Sequence, residues 1–167
     1  MDASQKLLAI EDIRRLKARN LNACDLKDPE VLLDCFWPGE IEISHGHVGE
    51  FETREGFVAL FLSAAGQEDI LVMHQRGNVE IEVVTENFAR ARSNVDYRNI
   101  NIREQTIVLA SGVYDDGYFC VDGLWKISKT NVNYGTAKYF EYQSGEASNL
   151  FAGQSVAGLV RYGDNEN

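Results

Sequence analysis

The sequence predicts an α+β domain in which a strongly curved, largely antiparallel sheet wraps around a long N-terminal helix. Helical periodicity is confined to the first 65 residues, whereas the chain from residue 70 onward alternates apolar and polar side chains as strands do. Short turns such as Asp122-Gly123 join the strands, which favours antiparallel pairing. Helices first and strands later is the α+β arrangement. The sheet has to bend around the first helix to bury the apolar faces of both.

Length and composition indicate one acidic domain spanning residues 1–167. The chain is 44% hydrophobic and 25% charged, with a net charge of −10. This charge argues against nucleic acid or an anionic membrane as a partner, because both attract basic surfaces. No apolar run approaches the roughly 18 residues of a membrane span, and the N-terminus lacks a secretion-signal pattern. Three widely spaced cysteines fit free thiols, so we expect a cytoplasmic protein.

Three helices are predicted before residue 66. Ser4 is expected to cap the first, which runs for about 20 residues with an apolar stripe that starts at Leu7. Lys17 interrupts this stripe and is expected to extend to the surface. Asp28-Pro29 is typical of the start of a second, short helix, and Thr53 is expected to cap the third.

A short strand at residues 40–45 and four long strands after residue 70 are predicted. In the second long strand, the residues that share one face are Ala89, Ala91, Ser93, Val95, Tyr97 and Asn99. In the third, residues 105–121, those on one side are Ile107, Leu109, Ser111, Val113 and Asp115. The pair Asp115-Asp116 indicates a bulge or turn, and Trp125, Ile127 and Lys129 are expected to share a face of the last strand. Residues 144–167 are too apolar for a solvated tail and are expected to pack on the body or on a neighbouring subunit.

The first candidate functional residue is His74, an imidazole at the start of the strand that follows residue 70. A neutral imidazole can remove a proton at neutral pH. Asp25 lies at the border of the apolar stripe of the first helix, where a carboxylate is costly unless it is paired. Asp25 therefore either marks the helix end or partners another group inside the fold.

His45 and His47 form a His-x-His pair that is a possible metal half-site. No third ligand with suitable spacing follows in the sequence, so neither a metal nor another cofactor is expected.

Several motifs together resemble one protein family. They are residues 10–28 (IEDIRRLKARNLNACDLKD), the helix start at residues 53–57 (TREGF), Met73-His74, and the hairpin at residues 118–127 (YFCVDGLWKI). These resemble the SnoaL-like branch of the NTF2-like superfamily over roughly residues 4–135, and within it the group of scytalone dehydratase and hexachlorocyclohexane dehydrochlorinase. The resemblance implies a cone-shaped α+β barrel whose interior is the ligand site.

The resemblance also implies a chemistry. In those relatives an aspartate near the end of the first helix orients a histidine at a strand start, and Asp25 and His74 occupy these positions. The implied function is a cofactor-independent lyase, a dehydratase or related β-eliminating enzyme, acting on a small apolar or cyclic molecule. The alternatives are an isomerase or polyketide-cyclase-like enzyme with the same base, or a non-catalytic binding module. Relatives are commonly dimers or trimers, so a homo-oligomer is expected.

The chain departs from its relatives at Asn20, where they carry a tyrosine or a basic residue. Where scytalone dehydratase has a second histidine, this chain has Tyr97 or Asn99. The residues expected to line the pocket beside the His-Asp dyad are Asn20, Phe36, Phe61, Val95, Tyr97, Asn99, Val113, Tyr114 and Asn131.

Overall fold

The computed structural model of the chain describes residues 1–142 and 146–152. Within these residues there are three α-helices, one short 3-10 helix (Gly46–Val48) and seven strands. The helices are α1 (Ala3–Leu26), α2 (Pro29–Cys35) and α3 (Arg54–Ala65). The strands are β1 (Glu42–Ser44), β2 (Glu50–Phe51), β3 (Ile70–Val83), β4 (Phe88–Asn101), β5 (Thr106–Val121), β6 (Leu124–Glu141) and β7 (Glu146–Ala152).

Helix α1 begins earlier than predicted, because Asp2 rather than Ser4 is its N-cap. The Asp2 carboxylate accepts from the backbone N–H of Gln5, and the Gln5 side chain accepts from the backbone N–H of Asp2, both at 2.8 Å. This reciprocal pair satisfies two donors that a helix start otherwise leaves free. The first eight residues are exposed. Leu7 is 67% exposed, so the prediction that the buried stripe starts at Leu7 is wrong.

The other helix starts agree with the prediction. Asp28 accepts from the backbone N–H of Val31 at 3.0 Å, with Pro29 in the first turn. The Thr53 hydroxyl accepts from the backbone N–H of Gly56 at 3.2 Å.

The strands form one curved sheet in the order β2-β1-β6-β5-β4-β3, with β7 paired to β6. All pairs are antiparallel except β1 with β6. The three helices cover one face, and the main core between helices and sheet includes Ile13, Leu32, Phe36, Ile43, Tyr118 and Ile127. The predicted α+β class and the curved, cone-like sheet are confirmed, although the sheet does not close on itself.

Bulges decide which side chains face the helices. In β3 the register shifts between Gly77 and Glu80, with Asn78 at a φ of 48°. In β6 one extra residue at Ser128 and another at Gly135 lie opposite β5. Each extra residue moves the following side chains to the other face of the strand.

One row of paired residues across the sheet forms the floor of the interior. His74 pairs with Tyr97, Tyr97 with Ala110, and Ala110 with Ala137. Two adjacent alanines leave space where larger side chains would fill the interior.

Part of the C-terminal tail is described. Residues 146–152 form β7, whereas residues 143–145 and 153–167 lie outside the described residues, so the expectation that residues 144–167 pack on the body or on a neighbouring subunit stays a prediction. Of the described helices, none is both long and apolar enough to span a membrane.

The turn between β5 and β6 generates a stability prediction. Gly123 has a φ of +77°, whereas Gly77 has an ordinary φ, and an added Cβ would meet no atom within 4 Å at either position. Gly123→Ala is expected to lower the free energy of unfolding by about 1 kcal/mol, because a Cβ strains a left-handed backbone. Gly77→Ala, the matched control, is expected to be neutral or slightly stabilising. Urea unfolding of both variants is the measurement, and equal losses would contradict the role of the positive φ.

Candidate active site

Asp25 and His74 form a direct pair that joins the end of α1 to β3. The Asp25 Oδ1 atom lies 2.6 Å from His74 Nδ1, and the backbone N–H of His74 donates to Asp25 Oδ2 at 3.1 Å. Lys27, in the left-handed region at a φ of 58°, ends the helix and leaves Asp25 in its last turn. The helix dipole disfavours a carboxylate at that end. The contact with His74 supplies the stabilisation that the helix does not.

This geometry orients the imidazole. A carboxylate only accepts hydrogen bonds, so the ring hydrogen of the neutral imidazole is on Nδ1 and the lone pair is on Nε2. The His74 side chain is 9% exposed and that of Asp25 is 23% exposed, so both are shielded from most of the solvent. The His74 ring also lies 4.9 Å from the ring of Tyr97, centroid to centroid.

A cavity of about 170 Å³ opens beside His74 between α1, α3 and the sheet. Its lining is mainly apolar, and the apolar residues include Leu21, Phe36, Phe57, Leu60, Phe61, Ala64, Ala65, Val108, Ala110 and Ala137. Such a lining excludes water and strengthens electrostatic interactions inside the cavity.

Most of the residues expected from the sequence are brought together at this cavity. Those that line it with His74 are Asn20, Phe36, Phe61, Tyr97, Asn99 and Tyr114. Asn99 Nδ2 donates to the Tyr97 hydroxyl at 3.1 Å. Burial raises the pKa of Tyr97 and of Tyr114, so both phenols are protonated at neutral pH.

Val95 and Val113 were expected at the cavity, and the structure places both elsewhere. Val95 is not among the lining residues; it is buried in a cluster with Leu21, Tyr114 and Val132. In β5 the side chains that face inward alternate with those that face outward, and Tyr114 faces the cavity. Val113, its neighbour in sequence, therefore lies on the outer face of the sheet.

Asn131 is also away from the cavity, where its Nδ2 donates to Glu42 Oε1 at 2.6 Å. Uninterrupted alternation from Trp125 would turn residue 131 inward. The extra residue at Ser128 reverses the faces, so Thr130 lines the cavity instead. The same bulge explains why Lys129 does not share a face with Trp125.

The largest difference from the sequence-based prediction is the position of Lys17. It is 1% exposed rather than extended to the surface, and it lines the cavity. Its Nζ donates to Asp116 Oδ1 and to Thr130 Oγ1, each at 3.0 Å, and lies 3.9 Å from the centroid of the Tyr114 ring. Burial lowers the pKa of Lys17, although Asp116 opposes that shift.

Asp116 holds this buried network together. Besides Lys17, its carboxylate accepts from the Thr130 hydroxyl at 2.7 Å and from the Tyr118 hydroxyl at 3.0 Å. Asp116 is 1% exposed within a regular part of β5, so the predicted bulge or turn at Asp115-Asp116 is wrong. Lys17 inside the apolar stripe and Asp116 in phase with Tyr114 are the two signals that together could have revealed the pair.

His45 is a second imidazole at the cavity, between the rings of Phe57 and Tyr114 at centroid distances of 5.0 and 6.3 Å. Part of the residue stays accessible, but its Nε2 is sealed from solvent and has no hydrogen-bond partner among the described residues. Burial, with smaller contributions from Lys17 and His74, lowers the pKa of His45 to about 3. His45 is therefore neutral at physiological pH.

The sequence raised His45 and His47 as a possible metal half-site. The His47 side chain lies outside the described residues. Among the described residues, no three His, Cys, Asp or Glu side chains are grouped to hold a metal ion.

This chain was compared with models of protein families and with curated proteins. A sequence model of the SnoaL-like domain matches residues 5–131. A comparison with curated proteins finds no match.

Solved structures share the fold. A protein proposed to be a scytalone dehydratase from Novosphingobium aromaticivorans DSM 12444 has a TM-score of 0.76 at 20% identity, covering 94% of this chain and 99% of its own. The hexachlorocyclohexane dehydrochlorinase LinA-type3 from Novosphingobium barchaimii LL02 has a TM-score of 0.72 at 19% identity, covering 94% of this chain and 100% of its own. At these identities the similarity establishes the fold.

The buried ion pair predicts an asymmetric response to mutation. Lys17→Met is expected to lower the free energy of unfolding by about 3–5 kcal/mol, because it leaves the Asp116 carboxylate buried without its cation. The double variant Lys17→Met/Asp116→Asn is expected to recover much of that loss, since no uncompensated charge remains. Chemical unfolding of both variants is the measurement. A double variant as unstable as the single one would show that packing, not charge, sets the cost.

The lowered pKa of His45 predicts a pH-dependent stability. Below pH 6.5 the unfolded chain protonates His45 while the folded protein does not, so stability falls as the pH drops from 6.5 toward 3. His45→Phe is expected to remove this contribution, up to about 1.4 kcal/mol per pH unit. Unfolding of both proteins between pH 7 and pH 4 tests this, because the carboxylates common to both cancel in the difference. Parallel pH profiles would contradict the assignment.

Proposed function

The chain belongs to the SnoaL-like domain family, and from that premise we propose that it is a cofactor-independent lyase for a small apolar or cyclic molecule. The observation that carries the proposal is the contact of 2.6 Å between Asp25 and His74 at the wall of an apolar cavity. In this proposal His74 Nε2 removes a proton from carbon. Asp25 holds the ring and stabilises the imidazolium that forms.

The proposed reaction is a β-elimination. The electron pair of the broken C–H bond becomes the new C=C bond, and the leaving group departs from the neighbouring carbon with its bonding pair. A hydroxide takes up the proton from His74 and leaves as water, whereas a halide leaves as the anion and the proton passes to solvent. The phenol of Tyr97, beside His74, is protonated and available to the leaving group.

Two features favour catalysis over passive binding. A binding module needs an apolar cavity but gains nothing from a carboxylate bonded to a cavity-facing imidazole. The names of the similar structures, a dehydratase and a dehydrochlorinase, describe two eliminations that need a base at carbon.

We expect His74→Asn to lower turnover by about 10²–10⁴-fold, because its amide can still donate to Asp25 but provides no base. Asp25→Asn is expected to lower turnover by a similar order, because the amide no longer imposes the reactive tautomer. The assay uses two single-ring probes, 3-hydroxycyclohexanone and hexachlorocyclohexane, and measures cyclohexenone formation and chloride release. Val113→Ala, on the outer face of the sheet, is the matched control and should retain full activity.

The same assay separates the alternatives. A product with all atoms of the probe retained would identify an isomerase. Probe binding without turnover would support a non-catalytic module, and unchanged turnover in His74→Asn would end the lyase proposal.

A further inference from the structure

Tyr97 and Asn99 form a polar pair on the inner face of β4, next to the proposed base. Residues two positions apart in a strand face the same side of the sheet, and both of these residues line the cavity. Each keeps part of its surface accessible. Asn99 Nδ2 donates to the Tyr97 hydroxyl at 3.1 Å. The pair is therefore a polar part of the cavity wall that a ligand can contact.

The hydrogen bond from Asn99 restricts the direction of the phenol proton. A phenolic O–H lies close to the plane of its ring and so has two orientations. A hydroxyl oxygen that accepts from an amide N–H does not point its own hydrogen at that amide. Among the described residues, the Tyr97 hydroxyl makes this one hydrogen bond and donates to none. The phenol proton is therefore available to an acceptor on a ligand.

Asn99 also makes the phenol a better acid. Burial raises the pKa of Tyr97, and the hydrogen bond from Asn99 opposes that shift because it stabilises the phenolate. The rings of Tyr97 and His74 lie 4.9 Å apart, centroid to centroid. A phenolate formed at Tyr97 thus has an imidazolium beside it from which it recovers a proton.

We propose that Asn99 is a positioning residue that directs the Tyr97 proton to a hydroxyl leaving group, so that the chain expels water from a small hydroxylated molecule. This inference rests on the proposed function, because it names the group expelled when His74 removes a proton from carbon. The hydroxide departs with its bonding pair and takes the proton of Tyr97, which gives water. The imidazolium of His74 returns its proton to the phenolate. The proton thus passes from His74 to the hydroxide by way of Tyr97.

A hydroxyl leaving group needs this proton, whereas a halide does not. The pKa of water is about 15.7, so hydroxide leaves slowly unless an acid protonates it as it departs. Chloride leaves as a stable anion. Because the lining of the cavity is mainly apolar, a side chain has to supply the acid in place of solvent. An oriented phenol beside the base therefore favours the loss of water over the loss of a halide.

The test compares the release of water and of chloride in one set of variants. 3-Hydroxycyclohexanone loses hydroxide and hexachlorocyclohexane loses chloride, and both use His74 as the base. A change in the base or in the fold therefore cancels in the ratio of the two turnover rates. Tyr97→Phe is expected to lower the ratio of water release to chloride release about 10²-fold, the contribution of a positioned acid. Asn99→Asp is expected to lower it about tenfold or more, because the new carboxylate accepts the phenol proton and turns it away from the leaving group.

A double variant shows whether Asn99 acts through Tyr97. Without the phenol there is no proton to direct, so Tyr97→Phe/Asn99→Asp should have the same ratio as Tyr97→Phe. Asn94→Asp, the same substitution at an exposed position of β4, is the matched control and should keep the wild-type ratio.

Thermal unfolding confirms that each variant is folded. Asn99→Leu removes the donor without adding a charge and should lower the ratio several-fold, which keeps the test decisive if Asn99→Asp does not fold. The inference is overturned if substitution of Asn99 leaves the ratio at the wild-type value, or if it lowers the ratio further when the phenol is already absent.

A binding measurement separates this inference from the proposed function. Cyclohexanol and chlorocyclohexane have nearly the same shape, and the alcohol oxygen is the better hydrogen-bond acceptor. Their dissociation constants are measured with the whole chain by ligand-observed NMR and corrected for the transfer of each ligand from water. The wild type is expected to favour cyclohexanol, and Tyr97→Phe is expected to reduce that preference about three- to tenfold.

The two readouts fail in different ways. A preference for cyclohexanol that depends on Tyr97, without elimination of either probe, would refute the lyase and keep the contact between Tyr97 and a hydroxyl group. Elimination of both probes with an unchanged ratio in Asn99→Asp would keep the lyase and overturn the role of Asn99.

Discussion

The face of α1 that the sheet encloses carries three polar side chains, and the interior depends on how each one is partnered. Lys17 is neutralised by Asp116, and Asp25 is bonded to His74. These two contacts lie eight residues apart on one helix and fix its position against β5 and β3. Between them, Asn20 keeps a donor that no described residue satisfies. The helix therefore serves as a structural axis and as one wall of the site.

The cavity exists because the row of paired residues from His74 to Ala137 ends in two adjacent alanines, Ala110 and Ala137. With larger residues there, the sheet would pack directly on α1 and α3. An apolar lining around a positioned imidazole gives a base that water does not solvate. Stability and chemistry thus compete for the same residues, since each polar group kept in this interior has to be compensated within the fold.

Features that depend on neighbouring residues could be predicted from the sequence, whereas features that depend on contacts between distant segments could not. Local chemistry determined the helix caps at Asp28 and Thr53 and the turn at Asp122-Gly123, and these predictions are confirmed. The start of α1 was misplaced because Ser4 and Asp2 are both competent caps, and only Asp2 has a glutamine three residues later. The error at Asn131 came from β6, where an extra residue at Ser128 reverses the alternation and moves Asn131 away from the cavity. The error at Val113 came from β5, where both Val113 and its neighbour Tyr114 were expected at the cavity although neighbouring residues of a strand face opposite sides.

The sequence by itself determined the order of the three α-helices and the long strands, the acidic charge of the chain and, as a hypothesis, the pairing of Asp25 with His74. These depend on periodicity, capping and residue type, which act over a few neighbouring residues or are visible through family resemblance. Only the tertiary structure decided that Lys17 is buried on Asp116, 99 positions away, and that His45 faces the cavity without a partner for Nε2. The buried charge of Lys17 is tolerated because Asp116, from a distant segment, pairs with it. No local sequence pattern indicates that these two segments come into contact.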